Sequence, residues 1–331
     1  MMIRKKKRQR LLLLALALCM LLLLLYYAVF SQSVTQTPQQ FSVILYQYTD
    51  NDWTSLQDGI RQAEKDENVV VNYVSVSPNT TIDNELELIA REIENGAEGV
   101  LFAPVDSDIP TDRFNSLTET APIVTLETGI GETDADISAN NYEMGYRLGS
   151  EIGSDMLATG EKHLYLIKEY MERQSVRQRF QGVTDAVKAA VPDAVIEEYQ
   201  RSEGDYGLAV SIAAMYENGQ KDAYIAALDK FCTEAVIEAS QSRALEGDTR
   251  RIFSERAYGI GNTEKTVIGL DTGCIRGLVY QNEFNIGYQG LQALVSRTRS
   301  SGFSSAAIEF YYVTRDTLYE PEHQRLLFPL G

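Results

Sequence analysis

From Phe41 onward, short apolar runs alternate with stretches whose apolar residues recur every three or four positions, and the alternation runs through twice. In the first series Phe41–Tyr46, Val69–Val76, Gly99–Val105 and Pro122–Thr128 read as strands. Trp53, Leu56, Ile60 and Ala63, then Leu86, Ile89, Ala90 and Ile93, fall on single helix faces. Asn141–Met156 reads as a helix, and the series restarts. His163–Lys168, Ala194–Tyr199 and Ala223–Leu228 are strand-like, with another strand inside Ile252–Ile260. Val176, Phe180, Val183 and Val187 mark a helix, as do Tyr206–Glu217 and Thr233–Ser242. Such alternation implies right-handed βαβ units, hence parallel sheets covered by helices on both faces. Strands buried on both faces are nearly continuous in apolar residues, as these are. The expected fold is α/β: two similar doubly wound parallel-sheet lobes, parted near residue 140. Ligands in such sheets bind beyond the carboxyl ends of the strands, so a site is expected just after them.

The N-terminus carries a different signal. Arg4, Lys5, Lys6, Lys7, Arg8 and Arg10 precede an uncharged apolar stretch, residues 11–30. At about 1.5 Å per residue this stretch spans about 30 Å, the thickness of a bilayer's hydrocarbon core. Flanking basic residues stay in the cytoplasm, so the lobes should lie outside. The expectation is a cytoplasmic basic segment over 1–10, one transmembrane helix over 11–30 and a polar linker over 31–40. Tyr26 and Tyr27 fit the outer aromatic belt. A cleaved signal peptide has a shorter apolar core, but Ser31–Ser33 leaves cleavage open. A lipid-modified Cys19 would want a small residue before it, where Leu18 stands.

Without the six basic residues the remainder has 24 Lys+Arg against 47 Asp+Glu, a formal −23. That charge repels nucleic acid and anionic headgroups, so no nucleic-acid partner is expected. Cys232 and Cys274 sit in apolar segments and read as free thiols, with a disulfide still open in an oxidising compartment. No Cys/His spacing suits zinc, and His163 and His323 are far apart. No nucleophile elbow or phosphate loop is present, and no spacing singles out Glu127, Asp229 or Asp50 as a catalytic carboxylate pair. A binding protein without cofactor or metal, and not an enzyme, is the expectation.

Several segments, in order and spacing, resemble the type I periplasmic binding proteins of the ribose/galactose-binding class over about residues 41–320. They are Tyr48-Thr-Asp-Asn-Asp-Trp-Thr-Ser-Leu-Gln-Asp-Gly59, Ile93-Glu-Asn-Gly-Ala-Glu-Gly-Val-Leu-Phe-Ala-Pro-Val-Asp-Ser-Asp108 and Pro122-Ile-Val-Thr-Leu-Glu127. Asn140-Asn-Tyr-Glu-Met-Gly145, Arg177-Gln-Arg-Phe-Gln-Gly182 and Tyr280-Gln-Asn-Glu-Phe-Asn-Ile-Gly-Tyr288 complete the set, the last with Glu283 where the family has Pro. The resemblance implies a sugar clamped between lobes joined by three crossovers near 139–142, 281–283 and 311–314. The N-terminal lobe would be 41–140 plus 282–312, and the C-terminal lobe 141–281 plus 313–331.

It also implies where the ligand contacts fall. Trp53, the sole tryptophan, can stack on the apolar face of a sugar ring, or pack in the core with Leu56 and Ile60. Asp50 and Asp52 flank it; one can cap the following helix and the other accept from hydroxyls. Glu127 stands at the family's usual Asp position, with Thr128 in place of the neighbouring Arg. Arg179 supplies a guanidinium fork, and Tyr206 closes the pocket. Asp229 follows a strand, with Leu228 where the family has Asn. Tyr258-Gly-Ile-Gly-Asn262 ends a strand, putting the amide of Asn262 where an acid is usual. Gly269-Leu-Asp271 belongs instead to a helix capped by Gly273. Gln281 borders a crossover, and its amide suits a hydroxyl. Two partners remain open: an ABC permease that receives the sugar, or a sensor histidine kinase that reads it.

Overall fold

The computed structural model of the chain describes residues 15–26, 38–47, 52–77, 79–109, 111–130, 136–169, 171–199 and 207–328. Residues 1–39 and 40–331 are two separate units. In the first, residues 15–26 form helix α1, apolar and exposed. Among the described residues no helix is long and apolar enough to cross a membrane; residues 11–14 and 27–30 of the expected span lie outside them.

In the second unit the first sheet is built from β1 (Gln40–Tyr46), β2 (Val70–Val76), β3 (Val100–Phe102), β4 (Ile123–Leu126) and β5 (Asp136–Ile137). Its order is β2-β1-β3-β4-β5, all pairs parallel. Helices α2 (Thr54–Glu67), α3 (Ile82–Glu94) and α4 (Thr111–Thr120) connect these strands. The chain then enters the second lobe through α5 (Asn141–Thr159) and β6 (His163–Ile167). There follow α6 (Gln174–Ala190), β7 (Val195–Tyr199), α7 (Leu208–Asn218), β8 (Tyr224–Ala227), α8 (Lys230–Gln241) and α9 (Gly247–Arg256). β9 (Ala257–Ile260), α10 (Glu264–Asp271) and β10 (Gly277–Gln281) complete its parallel part. Helix α11 (Glu283–Thr298) returns to pack on α2, and Ile308 bridges Ala139. β11 (Phe310–Thr314) and α12 (Pro321–Leu327) finish the second lobe, whose sheet order is β11-β10-β9-β8-β6-β7.

Two similar α/β lobes are therefore present, with differences from expectation in detail. β11 pairs antiparallel with β10, an edge strand added to an otherwise parallel sheet. The third passage between lobes accordingly falls between Ile308 and Phe310, just ahead of 311–314, and 310–312 lie in the second sheet. The strand expected inside Ile252–Ile260 is Ala257–Ile260, and residues 252–256 end helix α9. α4 escaped the reading because only Phe114 gives it a deeply buried apolar anchor.

Within each lobe a pair of helices crosses on glycine. A Cβ on Gly145 of α5 would lie 2.1 Å from the Arg179 carbonyl oxygen, and one on Gly182 of α6 2.2 Å from that of Tyr142. In the first lobe a Cβ on Gly59 of α2 would lie 2.0 Å from the Phe284 carbonyl oxygen, and one on Gly287 of α11 2.0 Å from that of Leu56. No side chain fits at these contacts, so the backbones touch. Cys232 is buried and Cys274 half-buried, both free thiols.

Candidate ligand-binding cleft

The carboxyl ends of the two sheets face each other, and the side chains after their strands meet between the lobes. Tyr46 ends β1 and Trp53 stands just before α2. Their rings meet edge to face, centroids 5.1 Å apart, and the indole N–H donates to the Tyr46 carbonyl. Glu127 follows β4 with φ +68, a left-handed conformation uncommon outside glycine and typical of strain kept at functional positions. Asn141, just past the first passage, holds that turn by donating to the Glu127 carbonyl at 3.3 Å.

The second lobe contributes cations. Arg179 donates to Glu127 Oε1 at 2.9 Å, to Asn141 Oδ1 at 2.8 Å and to the Leu228 carbonyl at 3.3 Å. Tyr46 donates its hydroxyl to the other Glu127 oxygen at 3.0 Å. Burial opposes ionisation of Glu127, but the charges of Arg179, Arg173 and Lys230 outweigh it and hold its carboxyl below the usual range. Arg173 lies 3.7 Å from the centre of the Tyr46 ring, and the Lys230 ammonium 3.5 Å from that of Trp53. Lys230 also donates to the Asp52 carbonyl at 2.6 Å and lies 3.8 Å from Glu283 Oε1. Burial pushes the carboxyls of Asp229 and Glu283 up. The Cys232 amide bond offsets this partly for Asp229, and the Lys230 charge partly for Glu283.

Of the residues expected from sequence, Asp50 and Tyr206 lie outside the described residues. Trp53 is 1 % exposed and packs with Leu56 and Ile60, so it is a core residue as well as a wall of the cleft. Glu127 and Arg179 are joined directly. Asp229 is the N-cap of α8, accepting from the Cys232 N–H at 2.8 Å. Asp52 and Asn262 line a groove of about 440 Å³ that spans the lobes beside Glu283 and Ile268. Gln281 is buried at the end of β10, and its Oε1 accepts no hydrogen bond among the described residues. Gly273, with φ +75, follows α10, which contains Gly269–Asp271. Sequence reasoning passed over Tyr46, Asn141, Arg173, Lys230 and Glu283. Tyr46 and Lys230 sit at or just after strand ends, and Glu283 follows Gln281 closely, so the strand-end rule could have found them.

A family model described as periplasmic binding protein domain matches residues 41–299. The chain belongs to that family. No curated protein matches it significantly. Among solved structures, a carbohydrate transporter solute binding protein from Agrobacterium radiobacter, in complex with D-arabinose, is 18 % identical with a TM-score of 0.77. The match covers 88 % of this chain and 100 % of that one. A glucose-galactose binding protein from Geobacillus stearothermophilus is 18 % identical, TM-score 0.71, covering 85 % and 99 %. A solute binding protein of an ABC transporter from Agrobacterium vitis, bound to α-D-tagatopyranose, is 18 % identical, TM-score 0.72, covering 88 % and 100 %. At this identity the likeness establishes the shared fold. As a periplasmic binding protein domain, the chain keeps its polar groups where the two sheets converge.

Proposed function

We propose that this chain is an extracytoplasmic solute-binding protein that clamps a monosaccharide between its lobes and delivers it to an ABC permease. The observation that carries the reading is the convergence of Tyr46, Trp53 and Glu127 from one lobe with Arg173, Arg179 and Lys230 from the other; the buried Gln281 Oε1, which accepts no hydrogen bond among the described residues, is added to the ligand set from the sequence. Aromatic faces suit a ring's C–H surface, and amide, carboxylate and guanidinium groups suit its hydroxyl rim. The bound sugars of the solved relatives are of the same class. Asp52, Asp229 and Asn262 complete the ligand set in this reading, with Asp50 and Tyr206 added from the sequence. Residues 11–30 tether the domain to the membrane, and the acidic remainder faces outward. Thermal-shift measurements with D-arabinose, D-tagatose, D-glucose and D-galactose test the binding. A ligand at about 100 times its Kd adds about 2.7 kcal/mol, and no shift with any pentose or hexose would overturn the sugar reading. Carbonate extraction tests the tether: an intact N-terminus in the membrane pellet is expected, and a shortened, soluble chain would refute it.

A further inference from the structure

Helix α6 begins without a cap of its own. Its N-cap residue, Arg173, makes no side-chain capping bond. The first N–H groups of a helix have no intrahelical partner and are normally served by such a side chain. Here the partners come from the opposite lobe. The Gln174 N–H donates to Ser107 Oγ at 2.9 Å, and the Ser175 N–H to Thr128 Oγ1 at 3.0 Å. The two hydroxyls lie 3.3 Å apart, so one donates to the other. The Ser107 N–H donates to the Glu172 carbonyl at 3.1 Å. Ser107 and Thr128 are 6 % and 1 % exposed. Both follow strands of the first lobe, whereas 172–175 belong to the second.

We propose that Ser107 and Thr128 cap α6 in trans and thereby set the balance between open and closed lobes. They act without touching ligand, as positioning residues. Parting the lobes removes both caps together and hands the two amides to water. Closing restores both. Because the contact is made by the chain itself, it does not depend on which solute binds.

Amide hydrogen exchange of the full chain without ligand tests this. Each cap is worth roughly a factor of three to ten, so Ser107→Ala with Thr128→Val should speed exchange at Gln174 and Ser175 by about tenfold or more. Exchange from Phe180 to Ala190 should not change, and Thr128→Ser should restore protection at Ser175. Small-angle scattering of the double variant should show a larger radius of gyration. If the double variant does not fold, Thr128→Val alone should speed exchange at Ser175. Unchanged exchange at both amides, or faster exchange along the whole helix, would overturn the proposal. So would wild-type amides at Gln174 and Ser175 that exchange at free-peptide rates.

Discussion

Glu85→Gln should remove a large part of the loss of stability that the protein suffers as pH rises from 5 to 8. Glu85 lies in the first turn of α3, fully buried, and its Oε2 accepts the Val105 N–H at 3.1 Å. Burial pushes its carboxyl from 4.5 up to about 8, against the smaller opposing effects of that amide and of Arg173. The folded chain therefore keeps the proton that the unfolded chain releases above about pH 4.5. Between these values the folded state binds more protons, so stability falls as pH rises through the window. The slope is at most about 1.4 kcal/mol per pH unit, and the full loss is about 5 kcal/mol. Glutamine keeps an acceptor for Val105 and cannot ionise. Urea unfolding at pH 5, 6, 7, 8 and 9 should show variant and wild type diverging, the variant ahead by several kcal/mol at the alkaline end. A gap of constant size across that range would refute the reasoning. The residue also bears on closure, because the loop it holds leads from Val105 to Ser107.

Arg179→Met should destabilise the protein by roughly 3 kcal/mol at pH 7, because it strands the buried Glu127 carboxylate, and adding Glu127→Gln should recover most of that. Glu127 is held below the usual range, so its contribution is complete above about pH 4.5 and lost as pH falls through its folded value. The gap between Arg179→Met and wild type should therefore narrow in acid, as read by urea unfolding. Trp53→Ala should remove about 3–5 kcal/mol of stability along with any sugar-induced thermal shift, whereas Trp53→Phe should keep most of the stability. Gly145→Ala forces α5 from α6 and should cost about 1–3 kcal/mol in urea while weakening sugar binding, since the displaced backbone is that of Arg179.

The lobes were legible because doubly covered parallel strands write themselves as apolar runs. Phe41–Tyr46 and Ala223–Leu228 needed no further information. Helix α4 was not, because its polar faces leave little periodicity to detect. At the site, Glu127 and Arg179 were singled out through the family pattern, but their direct bond was not foreseen, since contacts between lobes have no local signature. The departures from that pattern were visible one by one, but their connections were not. Glu283, in place of a proline, lies beside Lys230, and Asn262 hydrogen-bonds to Glu283. Leu228, in place of an asparagine, still offers its carbonyl to Arg179. Trp53 was read as wall or core because one side chain was assumed to have one job; it packs in the core and its ring also carries the Lys230 cation.

The glycine crossings have a mechanical consequence. Two of the three passages run straight into a clamped helix: Asn140 caps α5, and Asn282 caps α11. Because backbone meets backbone at Gly145, Gly182, Gly59 and Gly287, little slack remains in either pair to absorb a twist. A small rotation at the passages must then be carried undiminished to the far ends of these helices, near Thr159 and Thr298. Those ends behave as the tips of two levers. A membrane partner gripping one on each lobe would measure a distance, and would learn that the cleft had shut without sampling its contents.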